Sequence, residues 1–337
     1  DAIKRGAAIK VLPYGAITVG EKGEKLADME AMSDKVCAFS DDGKGVQNDE
    51  MMREAMTAAK RLGKIIAAHC EDNSLLFGGY IHDGEYARMH GHRGISSESE
   101  YRQIERDLRL AEETGCAYHV CHISTKESVE LIRQAKAHGV NVTCETAPHY
   151  LALCDEDLLE YGTLAKMNPP LRSAADRQAT IAAIADGTVD LLATDHAPHT
   201  LEEKERGFLE APNGIIGLEC AYGVCHKVLV DGGYISDQRL IELMSVAPSR
   251  LMGHRPTDVA ALLNVTAPCA SKRTLDLSAV EHPENVDLAI LNTSEAWTVD
   301  PEKFLSKARN TPFGGWHVTG RPLATVIGST LVFSRIH

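Results

Sequence analysis

The chain has 337 residues, of which 44% are hydrophobic, and its 35 Lys and Arg against 48 Asp and Glu give a formal net charge of −13. This composition is typical of a globular protein with one large domain and a small appendage, and excludes a disordered or fibrous chain. The acidic balance argues against a nucleic-acid or anionic-membrane surface, and no apolar run is long enough to predict a membrane span. Nine cysteines without a CxxC pair indicate reduced, buried thiols and predict a cytoplasmic protein.

Short apolar runs alternate with amphipathic segments up to Asp195. The predicted strands are Ala7–Tyr14, Val36–Asp41, Ile65–Cys70, Ala117–Ile123, Val140–Pro148 and Val189–Asp195. The predicted helices are Asp49–Leu62, Glu98–Thr114, Ser124–His138 and Ala174–Asp186. This alternation predicts βαβ units and a parallel α/β sheet, either a (β/α)8 barrel or a doubly wound sheet. No glycine-rich dinucleotide or phosphate-binding motif is present.

The regular alternation of apolar and amphipathic segments ends after Asp195. Thr200–Gly217 is polar, rich in Glu and interrupted by Pro and Gly, which predicts a long mobile loop over the site. Cys220–Val230 and Arg239–Leu251 are predicted to be helices of an outer ring. Pro256–Asn285 has little periodicity and receives no assignment. Alternating pieces from Val286 onward predict a small antiparallel β unit.

These elements predict two domains. Residues 1–285 would form the parallel α/β domain, a (β/α)8 barrel if the sheet closes, and residues 286–337 the C-terminal part of a small β domain. A barrel needs eight strands and the sequence offers six, so we expect the first strands to be missing from this chain.

Metal-ligand side chains end four of the predicted strands. They are Asp41-Asp42, His69, His122 and Asp195. A lone His at a strand end is more often structural, and Asp-Asp-Gly is more often a turn. Parallel strands nevertheless bring all four tips to one edge, where histidine and carboxylate suit zinc at an open catalytic site. The pattern therefore predicts a metal centre.

Asp195 and two further residues are candidates for catalysis or substrate binding. Asp195, at the last strand tip, has the chemistry to bind metal and to take a proton from a metal-bound water. His199 is four residues further on and is placed to reach a substrate anion. Asn168, held before two prolines in KMNPPLR, offers an amide to an imide or amide ring, although a rigid structural loop explains it equally well.

Two other histidines receive structural assignments. His119 lies three residues before His122, so the strand period of two places it on the opposite face, away from the site. His196 is adjacent to Asp195 and is also expected to be structural.

Long runs of this sequence resemble the bacterial class I dihydroorotases of the amidohydrolase superfamily. The runs are VLPYGAIT (Val11–Thr18), AFSDDGKGVQ (Ala38–Gln47), AHCEDNSL (Ala68–Leu75), YHVCHISTKESV (Tyr118–Val129), KMNPPLR (Lys166–Arg172), ATDHAPH (Ala193–His199) and NTPFGGWHVTGRP (Asn310–Pro322). Their order and length make the resemblance specific over nearly the whole chain. The resemblance implies a TIM-type (β/α)8 metal-dependent hydrolase barrel, incomplete at its N-terminus, with a small β-sandwich-like appendage. Pro256–Asn285 alone looks unlike the family.

The resemblance implies a two-zinc centre. Asp42 would bridge the ions, with Asp41 the less favoured candidate, and His69 and His122 would be histidine ligands from the fifth and sixth barrel strands. Asp195 would bind metal and act as general base and then general acid, with a bridging hydroxide as nucleophile.

The resemblance also implies the substrate contacts and the reaction. Asn168 and His199 would hold the substrate ring and its carboxylate, and the loop around Pro212 and Gly214 would add backbone contacts. The reaction would be the reversible cyclisation of N-carbamoyl-L-aspartate to L-dihydroorotate in pyrimidine biosynthesis.

One departure from the family pattern concerns the first strand. Family members carry a His-x-His there, followed two residues later by an Arg that grips the substrate carboxylate, and no such motif precedes Asp42. We therefore expect that this chain lacks its true N-terminus, and that these residues alone would be inactive or nearly so.

Two alternatives remain. A sibling cyclic amidase, such as a hydantoinase, dihydropyrimidinase or allantoinase, would bridge its metals with a carboxylated Lys, which Ala38–Asp42 lacks. A non-catalytic scaffold of aspartate transcarbamoylase would shed metal ligands, whereas His69, His122 and Asp195 persist. A homodimer, or assembly of an active enzyme with aspartate transcarbamoylase, is left open.

Overall fold

The computed structural model describes residues 2–254, 257–258, 286–328 and 330–336. Eight of its strands are parallel and fall into two sheets. They are β1 (Tyr14–Gly15), β2 (Ala38–Phe39), β3 (Ile65–Ala68), β4 (Ile81–His82), β5 (Gly94–Ile95), β6 (Tyr118–Val120), β7 (Val142–Thr146) and β8 (Leu191–Leu192). β4 and β5 pair separately, and the other six form the central sheet in the order β1-β2-β3-β6-β7-β8. This order follows the chain without reversal, which is the barrel arrangement rather than the doubly wound one.

Fourteen α-helices are assigned in the described part of the chain. They are α1 (Ala2–Gly6), α2 (Met29–Met32), α3 (Asp49–Arg61), α4 (Glu85–His90), α5 (Glu98–Thr114), α6 (Lys126–Ala137), α7 (Pro148–Ala152), α8 (Leu158–Tyr161), α9 (Ala174–Ala185), α10 (Leu201–Lys204), α11 (Gly207–Glu210), α12 (Ala221–Cys225), α13 (Asp237–Ile241) and α14 (Ala247–Leu251). The four long predicted helices are confirmed, and their boundaries agree to within two residues. No helix in these ranges is long and apolar enough to cross a membrane.

Local chemistry explains where the long helices begin and end. The Asn48 side chain accepts a hydrogen bond from the Met51 N–H at the start of α3. A reciprocal capping box between Ser173 and Asp176 opens α9. Gly115, in the left-handed region, ends α5.

The barrel helices cover one face of the central sheet. α3 packs on α5, α5 on α6, and α6 on α9, so the outer layer follows chain order. Tyr118 on β6 points into this layer, where its hydroxyl donates to Asp107 of α5 at 2.8 Å. The opposite face of the strands is therefore the inner one.

Two predicted elements differ from the structure. The predicted strand Ala7–Tyr14 is wrong for most of its length, because the paired strand is Tyr14–Gly15 and residues 7–13 are exposed. An apolar run becomes a strand only where a neighbouring strand pairs with it, and β2 pairs with β1 at two residues only. The predicted loop Thr200–Gly217 contains α10 and α11; a Thr200–Glu203 capping box starts α10.

The helices predicted after residue 217 are confirmed. α12 continues into a π-helical turn at His226–Val230. α13 runs through a second π-helical turn at Glu242–Val246 into α14.

The predicted antiparallel unit is also confirmed. β9 (Asp287–Thr298), β10 (His317–Ile327) and β11 (Thr330–Ser334) form one antiparallel sheet in the order β11-β10-β9. β10 packs closely on α12, since a Cβ at Gly223 would lie 2.8 Å from the Val318 side chain. Except for Thr257 and Asp258, the unassigned segment Pro256–Asn285 lies outside the described residues, and the domain boundary after residue 285 stays a prediction.

Candidate metal-dependent active site

Three of the predicted ligands converge at the carboxyl ends of neighbouring strands. Asp42 lies three residues beyond β2, His69 directly follows β3, and His122 lies two residues beyond β6. His69 Nδ1 is 3.1 Å from His122 Nε2, which is 3.5 Å from Asp42 Oδ1. One ligand atom from each residue lies within 4.8 Å of the others. This donor set, two imidazole nitrogens and a carboxylate oxygen, is one that can hold a metal ion.

The two adjacent aspartates have different tasks. Asp41 is 3% exposed, and one of its oxygens accepts the backbone N–H groups of Ile17 and Thr18 at 2.7 and 3.0 Å. Its other oxygen accepts the Thr18 hydroxyl. Asp41 therefore fixes the segment after β1 to the tip of β2, whereas the 55% exposed Asp42 side chain is available to a ligand.

Asp42 and His122 each stabilise the charged form of the other. Burial alone would lower the pKa of His122, but the hydrogen bond to Asp42 and the charges of Asp195 and Asp42 raise it to about 9. Burial would raise the pKa of Asp42, yet His122 and His69 lower it to about 2. A divalent cation would replace the proton that His122 holds and satisfy both groups, which is the usual coupling between ligand pKa and metal binding.

Backbone conformation turns two predicted site residues. His122 has φ +34° and Asp195 has φ +48°, a region in which side-chain-bearing residues are uncommon. Such conformations cost on the order of 1–3 kcal/mol each and cluster at functional sites. Because His122 lies outside regular strand geometry, the alternation of side chains along β6 does not predict whether His122 faces the same side as His119. The expectation for His119 is corrected: it faces inward beside Glu145, whose charge also reaches His122.

Asp195 lies near the three converging side chains but outside their compact group. Burial raises the pKa of Asp195, and the carboxylates of Asp42 and Glu145 add to this, while His122 and His69 oppose it. A carboxylate with a raised pKa is better suited to hold and return a proton than an ordinary surface aspartate.

His69 has a partner that the sequence analysis did not single out. Glu71 Oε2 lies 3.9 Å from His69 Nε2, and the Asn168 amide nitrogen lies 3.5 Å from the same atom. The polar groups of His69 and Asn168 and the charges of His69 and Arg172 outweigh burial and lower the pKa of Glu71. A carboxylate on the second ring nitrogen orients a metal-binding imidazole. The sequence signal for this role was the position of Glu71 two residues after His69.

A buried ion pair supports the loops that carry His122 and Asn168. Glu100 is 2% exposed and accepts the backbone N–H groups of Ser124 and Thr125 at 2.9 and 3.1 Å. Arg172 lies 3.6 Å from Glu100 and donates to the Ser124 hydroxyl at 3.0 Å. One network thus holds the segment after His122 and the segment after Asn168.

Asn310 connects three separate segments around His199. Its side-chain oxygen accepts the His199 backbone N–H at 3.0 Å, and its nitrogen donates to the carbonyls of Ala197 and Gly214, both at 3.0 Å. His199 Nε2 lies 2.8 Å from the Asn213 carbonyl. Sequence reasoning missed this role, because Asn310 is 111 positions from His199.

Lys204 makes the predicted mobile loop an anchored segment. Its ammonium group is buried and donates to the carbonyls of Lys166, Pro212 and Gly214 at 3.1, 2.9 and 3.0 Å. Burial and the nearby charge of Lys166 lower the pKa of Lys204 to about 7. Both carbonyls of the predicted substrate loop therefore bind Lys204, and contacts of Pro212 and Gly214 with substrate stay a prediction.

Gly214 and His196 have structural tasks. Gly214 has φ +150°, and a Cβ there would lie 2.7 Å from the Ala197 carbonyl, so only glycine fits. His196 Nδ1 accepts the Gly217 backbone N–H at 3.2 Å, in line with the expected structural role.

Comparison with known proteins places the chain in a family. The family model for Dihydro-orotase-like proteins matches residues 1–128. The dihydroorotase of Bacillus caldolyticus is 46% identical over 334 residues, which cover 99% of this chain and 73% of that protein. The dihydroorotase of Bacillus subtilis strain 168 is 42% identical over 334 residues, with the same coverage. The chain belongs to the dihydroorotase family. It is therefore a cyclic amide hydrolase that acts on a small molecule.

Solved structures similar to this dihydroorotase family member support the same fold. The L-hydantoinase (dihydropyrimidinase) of Arthrobacter aurescens is 27% identical with a TM-score of 0.76, over 96% of this chain and 70% of that one. A D-hydantoinase structure is 20% identical with a TM-score of 0.71 and shows the shared fold alone. The barrel assignment from strand order is thus confirmed.

Proposed function

We propose that this protein catalyses the reversible cyclisation of N-carbamoyl-L-aspartate to L-dihydroorotate, a step of de novo pyrimidine biosynthesis. The observation that carries the proposal is the convergence of Asp42, His69 and His122 within 4.8 Å in a chain 46% identical to a dihydroorotase. We further propose two zinc ions per active site, with Asp195 as an additional ligand.

The residues at the site fit zinc. Two imidazole nitrogens and a carboxylate point at one place, and the exposed Asp42 carboxylate has two oxygens with which to bridge a pair of ions. No described lysine or arginine forms an ion pair with Asp42. When bound, zinc supplies a Lewis acid for the substrate carbonyl and makes water acidic enough to give hydroxide near neutral pH.

Asp195 moves the proton in this proposal. In the hydrolytic direction its carboxylate takes the proton of the attacking water at one oxygen and then returns it to the ring nitrogen that leaves. The raised pKa of Asp195 makes its carboxylate a stronger base and so favours the first of these two transfers.

Asn168 and His199 bind the substrate in this proposal. The Asn168 side-chain oxygen is buried without a hydrogen-bond partner in the described structure, so it is free to accept an N–H of the ring. His199 is 28% exposed at its side chain and is held by Asn310, which suits it to meet a substrate carboxylate.

A hydantoinase is the second candidate, favoured by the similarity to the Arthrobacter aurescens L-hydantoinase. Against it, the stretch Ala38–Asp42 offers a carboxylate and no Lys at the converging point. A purely scaffolding role is disfavoured, because the chain has Asp42, His69 and His122 and their ligand atoms lie within 4.8 Å of one another. A homodimer, association with aspartate transcarbamoylase and a cytoplasmic location stay predictions.

A substrate comparison tests the proposal. The protein, expressed from its complete reading frame, is supplied with zinc and assayed for ring opening of L-dihydroorotate, hydantoin and dihydrouracil. We expect kcat/KM for L-dihydroorotate to exceed the other two by more than about 100-fold, because a site built for a ring carboxylate rejects rings without one. Faster turnover of hydantoin would overturn the assignment in favour of the second candidate.

A further inference from the structure

Lys204, the last residue of α10, joins two segments that carry proposed substrate contacts. Its ammonium group donates to the carbonyl of Lys166, two residues before Asn168, at 3.1 Å. The same group donates to the carbonyls of Pro212 and Gly214 at 2.9 and 3.0 Å. The Lys204 side chain is buried, so these bonds are shielded from water. One side chain therefore fixes the spacing between the Asn168 segment and the 212–214 loop.

Two of these carbonyls also accept a second donor. The Lys166 carbonyl accepts the Gly214 backbone N–H at 3.0 Å. The Gly214 carbonyl accepts the side-chain nitrogen of Asn310, whose oxygen in turn holds the His199 backbone N–H. The Lys204 ammonium thus lies at the junction of the hydrogen bonds that connect both segments with His199.

A protonated lysine matches this set of acceptors. An ammonium group has three N–H donors and no acceptor, and here three carbonyl oxygens surround it. A neutral amine has two N–H donors, so deprotonation of Lys204 leaves one buried carbonyl without its bond. Removal of the amino group leaves all three carbonyls without it, which is unfavourable for buried acceptors.

No carboxylate balances the charge of Lys204. Among the described residues, the charged side chain that reaches its ammonium group is that of Lys166, whose own ammonium donates to the Ala211 carbonyl at 2.6 Å. Burial and this neighbouring charge lower the pKa of Lys204 to about 7. The number of donors at the junction therefore changes near neutral pH.

We propose that Lys204 is a positioning residue for substrate binding, which in its protonated form holds Asn168, His199 and the 212–214 loop at the spacing that the substrate ring needs. This inference rests on the proposed function, since it assumes that those residues bind the substrate. Lys204 acts through the backbone of these segments. It should therefore influence KM and leave both kcat and zinc content unchanged.

A lysine-to-methionine pair of variants separates KM from kcat. Ring opening of L-dihydroorotate is measured with wild type, Lys204→Met and Lys136→Met at about pH 6, where Lys204 is protonated. We expect KM to rise about tenfold or more in Lys204→Met, because three buried carbonyls lose their donor. We expect kcat to stay within about twofold of wild type. Lys136, which donates to the Thr188 carbonyl at 2.7 Å before β8, is the matched control and should leave KM unaltered.

The pH profile of KM distinguishes positioning from a merely structural role. The ratio of KM in Lys204→Met to KM in wild type should be largest at about pH 6 and fall at least about threefold by pH 9, as the wild-type ammonium loses a proton and one of its bonds. Titration of other groups, such as His199, affects both proteins and cancels in the ratio. A structural role would give a ratio that does not change with pH.

Hydrogen exchange tests the positioning without substrate. The Gly214 amide, which donates to the Lys166 carbonyl, should exchange at least about tenfold faster in Lys204→Met than in wild type at pH 6. The Cys121 amide, which donates to the Ala68 carbonyl at 3.1 Å on the side of the proposed metal ligands, is the internal control and should not change.

The contradicting results identify which proposal fails. If wild type does not open L-dihydroorotate, the proposed function is wrong, and exchange decides this inference: an unchanged Gly214 amide contradicts it. If wild type is active, a KM in Lys204→Met equal to that of wild type, or a KM ratio independent of pH, contradicts the positioning role. If Lys204→Met does not fold, Lys204→Gln takes its place under the same criteria.

Discussion

The two sides of the active site are positioned by different means. On the side of the proposed metal ligands, Asp42, His69 and His122 follow strands β2, β3 and β6, which pair with one another in that order. On the proposed substrate side, Asn168 and His199 themselves lie outside the paired strands. Those segments are fixed instead by buried polar groups.

The difference shows what each kind of positioning requires. A strand end takes its place from sheet pairing, so the ligand needs only the right residue at the tip. A loop has no such pairing and is held by hydrogen bonds and ion pairs to buried polar groups. If the loop moves away, those buried groups lose their partners, which costs about 1–3 kcal/mol per neutral group and more for a charge. Arg172, Lys204 and Asn310 are these buried groups.

The largest effect should come from the proton carrier. Asp195→Asn keeps the shape of the side chain but removes the base, so we expect kcat to fall by about a thousandfold while part of the metal is retained. Steady-state kinetics beside zinc content by elemental analysis measures both. Turnover within a factor of a few of wild type would remove Asp195 from this role.

Loss of a ligand should affect metal and activity together. His122→Ala removes an imidazole from the converging group, and we expect zinc affinity to fall by more than about 100-fold, because first-sphere ligands matter more than their orienting partners. His138→Ala is the matched control, since His138 is exposed at the end of α6. Zinc binding equal to that of wild type in His122→Ala would disprove the ligand assignment.

Breaking the Glu100–Arg172 pair should reduce the stability of the fold. Arg172→Met leaves a buried carboxylate without its cation, and we expect the free energy of unfolding to fall by about 3–5 kcal/mol. Chemical denaturation measures this, with Arg133→Met, which removes a half-exposed ion pair, as control. A loss no greater than that of the control would show that Glu100 is satisfied by Ser124 and Thr125 alone.

Asn310 should affect substrate binding rather than metal. Asn310→Ala removes three hydrogen bonds that hold Ala197, His199 and Gly214, and we expect KM to rise roughly tenfold with zinc content unchanged. The exposed Asn141→Ala serves as the comparison. A fall in zinc content, or an unaltered KM, would mean that the proposed ligand residues and the proposed substrate-binding residues are not positioned independently of each other.

Lys204 should make stability depend on pH. Its pKa is lowered from 10.5 to about 7, so the unfolded chain holds a proton that the folded chain lacks between these values. Relative to Lys204→Met, the free energy of unfolding should therefore rise with pH from about 7 to 10.5, by at most about 1.4 kcal/mol per pH unit. A difference between the two proteins that stays flat over this window would show that three carbonyls keep the ammonium charged.

The sequence predicted which strand tips converge better than it predicted the contacts of the loops, for a physical reason. His69 and His122 could be located because a strand and its polar tip are contiguous in sequence. The contacts of Asn310 and of Lys204 with Lys166 join segments far apart in the chain, and no local pattern carries them. The capping box at Thr200 was visible, yet composition favoured a mobile loop, and the orientation of His119 was misjudged because His122 leaves strand geometry.

The most direct test of the central claim is a crystal structure recorded at the zinc absorption edge. Anomalous scattering should show zinc about 2.0–2.2 Å from a ring nitrogen of His69, a ring nitrogen of His122 and a carboxylate oxygen of Asp42. If crystals grown with zinc show no anomalous peak among these three side chains, the metal centre proposed here is wrong.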